Sequence, residues 1–173
     1  MGAQTVEYLL RDHGRLERLL AELDGVLDQV RAETDAFVSH TREISGILDR
    51  LNNELDAHVE KEELLFAALE SFFPRDSGPL MVLRREHADI FLTFSRMRKA
   101  GGALPATNGN EGAPARFESY VRGALQLMRD HMYKEDRVLF PMIARLIPAD
   151  LDAELLGRMR AVTARPLDAA ALP

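Results

Sequence analysis

Two histidine-containing motifs occur twice in this chain, and the duplication limits the folds that it can adopt. The segment Leu-Arg-Asp-His that ends at His13 is matched by Arg-Arg-Glu-His ending at His87. The segment His-Val-Glu-Lys-Glu at residues 58–62 is matched by His-Met-Tyr-Lys-Glu at residues 131–135. Each second motif leads into an apolar stretch that ends in Leu-Phe, with an offset of one residue between the copies. Such a duplication predicts two similar helical hairpins related by a pseudo-two-fold axis.

Apolar residues recur at three- and four-residue intervals along almost the whole chain, which is typical of amphipathic helices. The predicted helices cover residues 4–30, 34–73, 79–100, 115–146 and, as a short fifth element, 148–162. The second helix has natural N-caps in Thr34 and Asp35 and stops before Pro74, and residues 101–115, rich in Gly, Pro, Asn and Thr, form a loop. We therefore predict an all-α fold, an up-down-up-down four-helix bundle with a short C-terminal fifth helix.

The chain length of 173 residues suits one compact domain. We expect the bundle to cover residues 1–147 and the short C-terminal helix with its tail to cover residues 148–173. The apolar stripe of that helix could either cap the bundle or mediate a homodimer. Its members are Leu151, Leu155, Leu156 and Met159.

Composition argues against several classes of function. The chain has no cysteine, which excludes disulfides, thiolate metal sites and cysteine nucleophiles, so any metal must be bound by nitrogen and oxygen. A net charge of -6 argues against electrostatic binding to nucleic acid or to an anionic membrane. No stretch approaches the roughly 20 apolar residues of a membrane span, and residues 1–10 do not resemble a signal peptide. We therefore expect a cytoplasmic protein.

The four repeated histidines are predicted to lie in one layer of the bundle. In an antiparallel hairpin, two residues lie at the same height when they are equally far from the turn. The sequence midpoint between His13 and His58 falls at the predicted start of the second helix. The midpoint between His58 and His87 falls at the proline stop, and that between His87 and His131 falls in the glycine-rich loop. Because residues one turn away are mostly apolar, the histidine rings are expected to face the core.

Two glutamates are predicted to join this layer. Glu62 and Glu135 follow His58 and His131 by four residues, so each pair shares one helix face. Burying four imidazoles and two carboxylates without compensation would be costly, and a bound cation resolves the difficulty. Six ligands suit two octahedral ions better than one tetrahedral zinc, and they favour iron over manganese or zinc. The predicted metal ligands are His13, His58, Glu62, His87, His131 and Glu135.

Other polar residues near these motifs are less favoured as ligands. Asp136 is the main alternative to Glu135, although the duplicated spacing favours Glu135. Glu17 and Glu54 lie one helical turn from the first two histidines and are expected to pair with arginines or to hydrogen-bond to ligand histidines. His40 lies far from the layer along the second helix and is expected to be exposed. The charged neighbours expected on solvated flanks or in contacts behind the ligands are Glu60, Lys61, Glu63, Lys134, Asp136 and Arg137.

These motifs resemble those of the hemerythrin-like, or HHE cation-binding, family over about residues 5–147. The most specific segment is His-Met-Tyr-Lys-Glu-Asp-Arg-Val-Leu-Phe-Pro at residues 131–141. The Asp-His pair at His13 and the Glu-His pair at His87 resemble the histidine sites of the family's first and third helices. The set of four histidines and two glutamates is most similar to the domain of repair-of-iron-centres proteins.

This resemblance implies a pair of iron ions with an oxo or hydroxo bridge, in which Glu62 and Glu135 also bridge the ions. It further implies that two histidines complete each ion, His13 and His58 for one and His87 and His131 for the other. Manganese or zinc remains the less favoured alternative.

The resemblance also implies a function. Oxygen-carrying hemerythrins have a further histidine where this chain has Phe91, which argues against reversible oxygen carriage. Phe91 either forms an apolar wall that leaves a coordination position open or merely fills space. We expect a protein that binds or reacts with a small molecule (dioxygen, peroxide or nitric oxide) in sensing or in oxidative or nitrosative stress. The alternatives are an enzyme that reduces peroxide or nitric oxide, an iron-binding, iron-sensing or storage bundle without turnover, and a metal-free interaction bundle.

Overall fold

The computed structural model describes residues 3–32, 36–72, 78–103 and 113–162, and within these ranges it contains helices and no strands. The long helices are α1 (Gln4–Ala32), α2 (Ala36–Leu69), α3 (Pro79–Ala103) and α4 (Ala113–Lys134). A π-helical turn (Glu135–Leu139) continues α4 into α5 (Phe140–Leu146), and α6 (Ala149–Ala161) follows. Because α1 packs on α2, α3 on α4, and each hairpin on the other, the predicted all-α bundle with a short C-terminal helix is confirmed.

The end of α2 differs from the prediction. The helix ends at Leu69, and a tight turn follows in which the backbone N–H of Phe72 donates to the carbonyl of Leu69 at 2.9 Å. Such a turn satisfies a helix-terminal carbonyl without continuing the helix. The predicted end at Phe73 and the proline stop at Pro74 lie outside the described residues, as does the predicted Thr34-Asp35 cap.

The connection between α3 and α4 is shorter than the predicted loop of residues 101–115. Helix α3 extends to Ala103 and α4 already begins at Ala113, while residues 104–112 lie outside the described part of the chain. A glycine inside a helix costs only about 1 kcal/mol relative to alanine, so two adjacent glycines weaken the end of α3 without stopping it. Composition therefore located this connection but overestimated its length.

A polar layer divides the bundle core into two apolar clusters. On α1, His13 lies between Leu9 of one cluster and Leu16 of the other. On the other helices, too, the histidine lies between a residue of one cluster and a residue of the other: Leu55, His58 and Leu65 on α2; Leu83, His87 and Ile90 on α3; Met128, His131 and Leu139 on α4 and the π turn. Burial of each leucine side chain contributes roughly 2 kcal/mol, so both clusters hold the four helices firmly on either side of the polar layer.

The π-helical turn explains the one-residue offset between the duplicated motifs. A π turn accommodates one extra residue within an otherwise α-helical segment. Phe66 follows Glu62 by four residues, whereas Phe140 follows Glu135 by five, with the π turn between them. The extra residue is absorbed in the widened turn, so both phenylalanines occupy equivalent places beside the polar layer.

Helix α6 closes one end of the bundle. Its buried side chains Leu155 and Met159 belong to the same apolar cluster as the phenylalanines. The carboxylate of Asp152 accepts hydrogen bonds from the backbone N–H groups of Gln4, at 2.8 Å, and Thr5, at 3.1 Å. It also accepts one from the Thr5 hydroxyl at 2.5 Å. These bonds satisfy free N–H groups at the start of α1. Helix α6 therefore caps the bundle, which is one of the two roles expected for it.

Replacement of Asp152 by alanine is expected to lower the free energy of unfolding by about 2–3 kcal/mol, because the start of α1 loses a charged cap. The measurement is chemical denaturation followed by circular dichroism. Asp150→Ala is a matched control, since Asp150 lies on the same helix and is exposed. Equal denaturation midpoints for the two variants would contradict the capping role of Asp152.

Candidate metal centre

The structure brings the six predicted side chains together in the polar layer. Each of them is at most 5% exposed. The contributing helices are α1 (His13), α2 (His58 and Glu62), α3 (His87), α4 (His131) and the first residue of the π turn (Glu135). Four separate helical segments therefore fix the position of the cluster.

The six side chains form two overlapping groups of four whose nitrogen and oxygen atoms all lie within 4.8 Å of one another. Both groups contain Glu62 and Glu135; the first adds His13 and His58, and the second adds His87 and His131. Within each histidine pair the ring centroids are 4.7 Å apart. This arrangement could hold two adjacent ions that share two carboxylates.

Glu62 directs its two carboxylate oxygens toward different histidine pairs. Oε1 is 3.4 Å from Nε2 of His58, and Oε2 is 3.0 Å from Nε2 of His87. Within the described part of the chain, neither oxygen has a partner in hydrogen-bonding geometry. A carboxylate oriented in this way is suited to bridge two cations that lie side by side.

Glu135 has the equivalent arrangement on the other hairpin. Its Oε2 is 3.3 Å from Nε2 of His13, and its Oε1 is 3.2 Å from Nε2 of His131. Its oxygens also lack hydrogen-bond partners among the described residues. Two buried carboxylates in this condition would be strongly unfavourable, so the cluster fits bound cations better than a purely structural polar layer.

The spacing of the histidine nitrogens also fits a bound cation. The Nε2 atoms of His13 and His58 are 3.1 Å apart. Two nitrogens that bind one ion at about 2.1 Å, and at a right angle, are themselves roughly 3 Å apart. The pair therefore has the spacing of two ligands of a single ion.

Carboxylates lie next to the second ring nitrogen of two of the histidines. Asp136 Oδ1 is 2.7 Å from Nδ1 of His13, and Glu86 Oε2 is 3.0 Å from Nδ1 of His131. A carboxylate in this position favours the tautomer that carries its proton on Nδ1 and leaves Nε2 free to bind metal. The outer contacts are therefore consistent with metal ligation through Nε2.

The other two histidines have looser contacts. Asp12 Oδ2 is 3.8 Å from Nδ1 of His58, and Glu63 Oε1 is 4.0 Å from Nδ1 of His87, both beyond hydrogen-bond length. Asp12 is held instead by the ammonium of Lys61 at 2.6 Å. Two of the four histidines therefore have a carboxylate oxygen within hydrogen-bond distance of Nδ1, and the other two have a carboxylate only at about 4 Å.

The alternative carboxylates lie outside the two groups. Asp136 is a hydrogen-bond partner of His13 rather than a member of the cluster. Glu17 pairs with Arg129 at 3.1 Å, and Glu54 pairs with Arg15 at 3.0 Å, as expected.

One residue differs from its expected surroundings, and one takes the second of its two expected places. His40 is half-buried, although it was expected to be exposed, and it does not belong to either group. Lys61 is only 4% exposed and contacts Asp12, so it lies behind the ligands, one of the two places expected for it. The outer contacts of Asp12 and Glu86 were not predicted from the sequence. Their signal was the acidic residue that directly precedes the histidine in both copies of the first motif.

The pKa shifts in the cluster indicate that positive charge must balance its buried carboxylates. Burial opposes protonation of His58, but the charge of Glu62 and the interaction with Asp12 outweigh it and raise the pKa of His58 to about 10. Burial acts on Glu62 in the opposite sense, yet the neighbouring histidines hold the pKa of Glu62 well below its usual range. Either protons on the histidines or bound cations must therefore compensate the carboxylates, and cations do so with neutral imidazoles.

Two phenylalanines contact the histidines from one side of the layer. Phe66 stacks on His87 with ring centroids 5.8 Å apart, and Phe140 stacks on His13 at 5.3 Å. The repeated Leu-Phe at residues 65–66 and 139–140 was visible in the sequence, but the contact of each ring with a histidine was not predicted. Phe91 is half-buried and packs against the other apolar cluster. The two stacked rings therefore form an apolar wall of the site.

A four-helix bundle with a buried layer of histidines and shared carboxylates defines a class of metal-binding helical proteins. The model of the hemerythrin HHE cation-binding domain family matches residues 4–143, so the chain belongs to the hemerythrin family. Family membership and the His/Glu cluster together indicate a metal-binding protein. Comparisons with curated proteins and with solved structures find no match. Among the described helices, none combines the length and apolar character that a bilayer span requires.

Proposed function

We propose that this protein is a non-haem di-iron protein that binds or reacts with a small molecule such as dioxygen, peroxide or nitric oxide. The observation that supports it most is the orientation of Glu62 and Glu135, each of which directs one oxygen toward each histidine pair. A single ion would need only one of the two groups. Two shared carboxylates are the arrangement that suits a pair of ions, and nitrogen and oxygen donors suit iron.

The proposed ligand assignment follows the two groups. Glu62 and Glu135 would be shared by both ions, His13 and His58 would hold one of them, and His87 and His131 would hold the other. Each ion then has four protein ligands, fewer than the six of an octahedral ion, so positions remain for small ligands. When bound, the iron pair supplies redox chemistry, and the protein supplies a fixed and buried set of donors.

The surroundings favour small ligands over larger substrates. All six donor side chains are buried, and the rings of Phe66 and Phe140 cover one side of the layer. Buried donors beside an apolar wall suit small molecules, such as a diatomic molecule or peroxide, better than larger polar substrates. A role in sensing or in oxidative or nitrosative stress in the cytoplasm is the proposed setting.

The reactive function is tested by stopped-flow mixing of the reduced, iron-loaded protein with excess peroxide or, anaerobically, with nitric oxide. A reductive enzyme is expected to complete many turnovers with an external electron donor, whereas a sensor is expected to react once per iron pair. His58→Ala should abolish either reaction, and His40→Ala, on the same helix but outside the cluster, should leave it intact. A wild-type protein that reacts with none of these molecules would contradict the proposal.

Iron sensing or storage without turnover is the second candidate function. It is favoured by the origin of the ligands, which come from all four long helices and lie in the core. Ion occupancy and bundle stability are therefore coupled, so iron could be read out as a change in folding. Limited proteolysis at physiological temperature tests this candidate, which requires faster cleavage of the metal-free protein. Equal resistance of both forms would contradict it.

A further inference from the structure

We propose that Arg84 is a positioning residue that acts on only one of the two metal positions, the one completed by His87 and His131. The inference rests on the proposed function, because it presupposes two ions. Arg84 would not contact the ions; it contacts Glu63 and Phe66, the two residues beside His87.

Arg84 holds two carboxylates, Glu63 on α2 and Glu70 in the turn that follows α2. It lies three residues before His87 on α3, and its Nε donates to Glu63 Oε2 at 3.0 Å and Oε1 at 3.3 Å. Its Nη2 donates to Glu70 Oε1 at 3.0 Å. A planar guanidinium fixes the geometry of both carboxylates, which a lysine cannot do. Glu63 Oε1 in turn lies 4.0 Å from Nδ1 of His87, beyond hydrogen-bond length but within reach of a charge interaction.

Arg84 also holds the ring that contacts the face of His87. Its guanidinium carbon is 5.7 Å from the centre of the Phe66 ring, within range of a cation–π interaction. The Phe66 ring is parallel to the His87 imidazole, with an angle of 3° between the planes. One arginine therefore contacts both neighbours of this imidazole, Glu63 at its edge and Phe66 at its face. The ring torsion of histidine is otherwise broad, so these neighbours set its orientation.

The other half of the site is built differently: Arg15 pairs with Asp12 behind His58, but among the described residues no arginine lies over Phe140, the ring that stacks on His13. In the duplicated motif, Arg84 corresponds to Leu10, which is 41% exposed. His13 is instead oriented directly, because Asp136 lies 2.7 Å from its Nδ1. Loss of Arg84 should therefore disturb the position that depends on His87 and leave the position that depends on His13 unchanged.

Ion pairing alone does not account for the placement of this arginine. Among the described residues, its buried Nη1 atom has no hydrogen-bond partner, which costs stability. The two ion pairs are partly exposed and therefore contribute little to stability, so they do not offset this cost. Orientation of His87 accounts for the placement of Arg84 beside Glu63 and Phe66.

The test is titration of the metal-free, full-length protein with cobalt(II), followed by visible absorption and calorimetry. Wild type is expected to bind two ions. Arg84→Leu is expected to weaken one of them on the order of 10–100-fold and to change the absorption of that ion alone. Arg85→Leu, at the adjacent exposed position, is the matched control and should leave both ions unchanged.

Two histidine backgrounds separate positioning from a general loss of packing. In His13→Ala, only the position of His87 and His131 remains intact, and Arg84→Leu should retain its full effect. In the His87→Ala background, Arg84→Leu should cause no further loss of metal affinity. Equal weakening in both backgrounds would overturn the positioning role.

A conservative variant covers the case in which Arg84→Leu fails to fold. Arg84→Lys keeps the charge but cannot hold two carboxylates, so it should resemble the leucine variant in metal binding while retaining wild-type helicity. Wild-type affinity in Arg84→Lys would overturn the inference. If wild type binds two cobalt ions and Arg84→Leu matches Arg85→Leu, the inference fails and the proposed function stands. If wild type binds fewer than two, both fail.

Discussion

Replacement of Glu62 by alanine is expected to abolish binding of both metal ions, whereas replacement of His58 by alanine should remove only one. The reason is that Glu62 belongs to both ligand groups, with one oxygen near His58 and the other near His87. His58 belongs to one group only. Loss of a shared ligand should lower both affinities by more than about 100-fold, the upper range for loss of a contact behind a ligand.

The measurement is metal content after reconstitution with iron and gel filtration. Glu60→Ala is the control, because Glu60 lies on the same helix two residues away and is exposed. The control should retain two ions per chain. A Glu62→Ala protein that still holds two ions, or that loses only one, would contradict the shared role of this carboxylate.

Removal of the metal should lower the melting temperature by roughly 8–16 °C for each ion lost. An ion present at about 1,000 times its dissociation constant stabilises the folded state by about 4 kcal/mol, and each kcal/mol shifts the melting temperature of a chain of this size by roughly 2–4 °C. Protonation of the histidines compensates part of the loss, since the pKa of His58 is raised to about 10. Calorimetry of the chelator-treated and reloaded protein measures the difference.

The electrostatics also predict a destabilising substitution. In the metal-free protein, Glu62→Gln combined with Glu135→Gln removes the carboxylate charges that pair with protonated histidines and should lower the melting temperature below that of metal-free wild type. The double variant should no longer respond to iron. Metal-free wild type that melts as high as the loaded protein would contradict the stabilisation by metal, and a double variant that melts above metal-free wild type would contradict the charge pairing.

The sequence was sufficient to predict the helices and the layer, because both follow from simple geometry. A repeat of 3.6 residues identifies an amphipathic helix, and equal distances from the turns bring His13, His58, His87 and His131 to one height. The end of α2 was placed too late, since helix ends depend on local turns such as the one that follows Leu69. Bulk composition cannot resolve such a turn.

Other features depend on tertiary contacts that no sequence pattern specifies. The one-residue offset before Phe140 was visible, but the sequence does not show that a π turn absorbs it or that the ring stacks on His13. The partners of Arg84 could not be read from the sequence either, because a long side chain on α3 can reach many groups on α2. Only the fold shows that it contacts both Glu63 and Phe66.

The central claim is that six buried side chains from four helical segments bind two ions, and elemental analysis of the purified protein with its ultraviolet–visible spectrum tests it most directly. We predict two iron ions per chain, accompanied by near-ultraviolet absorption that disappears on chelation and returns on reloading. A protein that binds one ion or none after reconstitution with iron, while remaining fully folded, would contradict it.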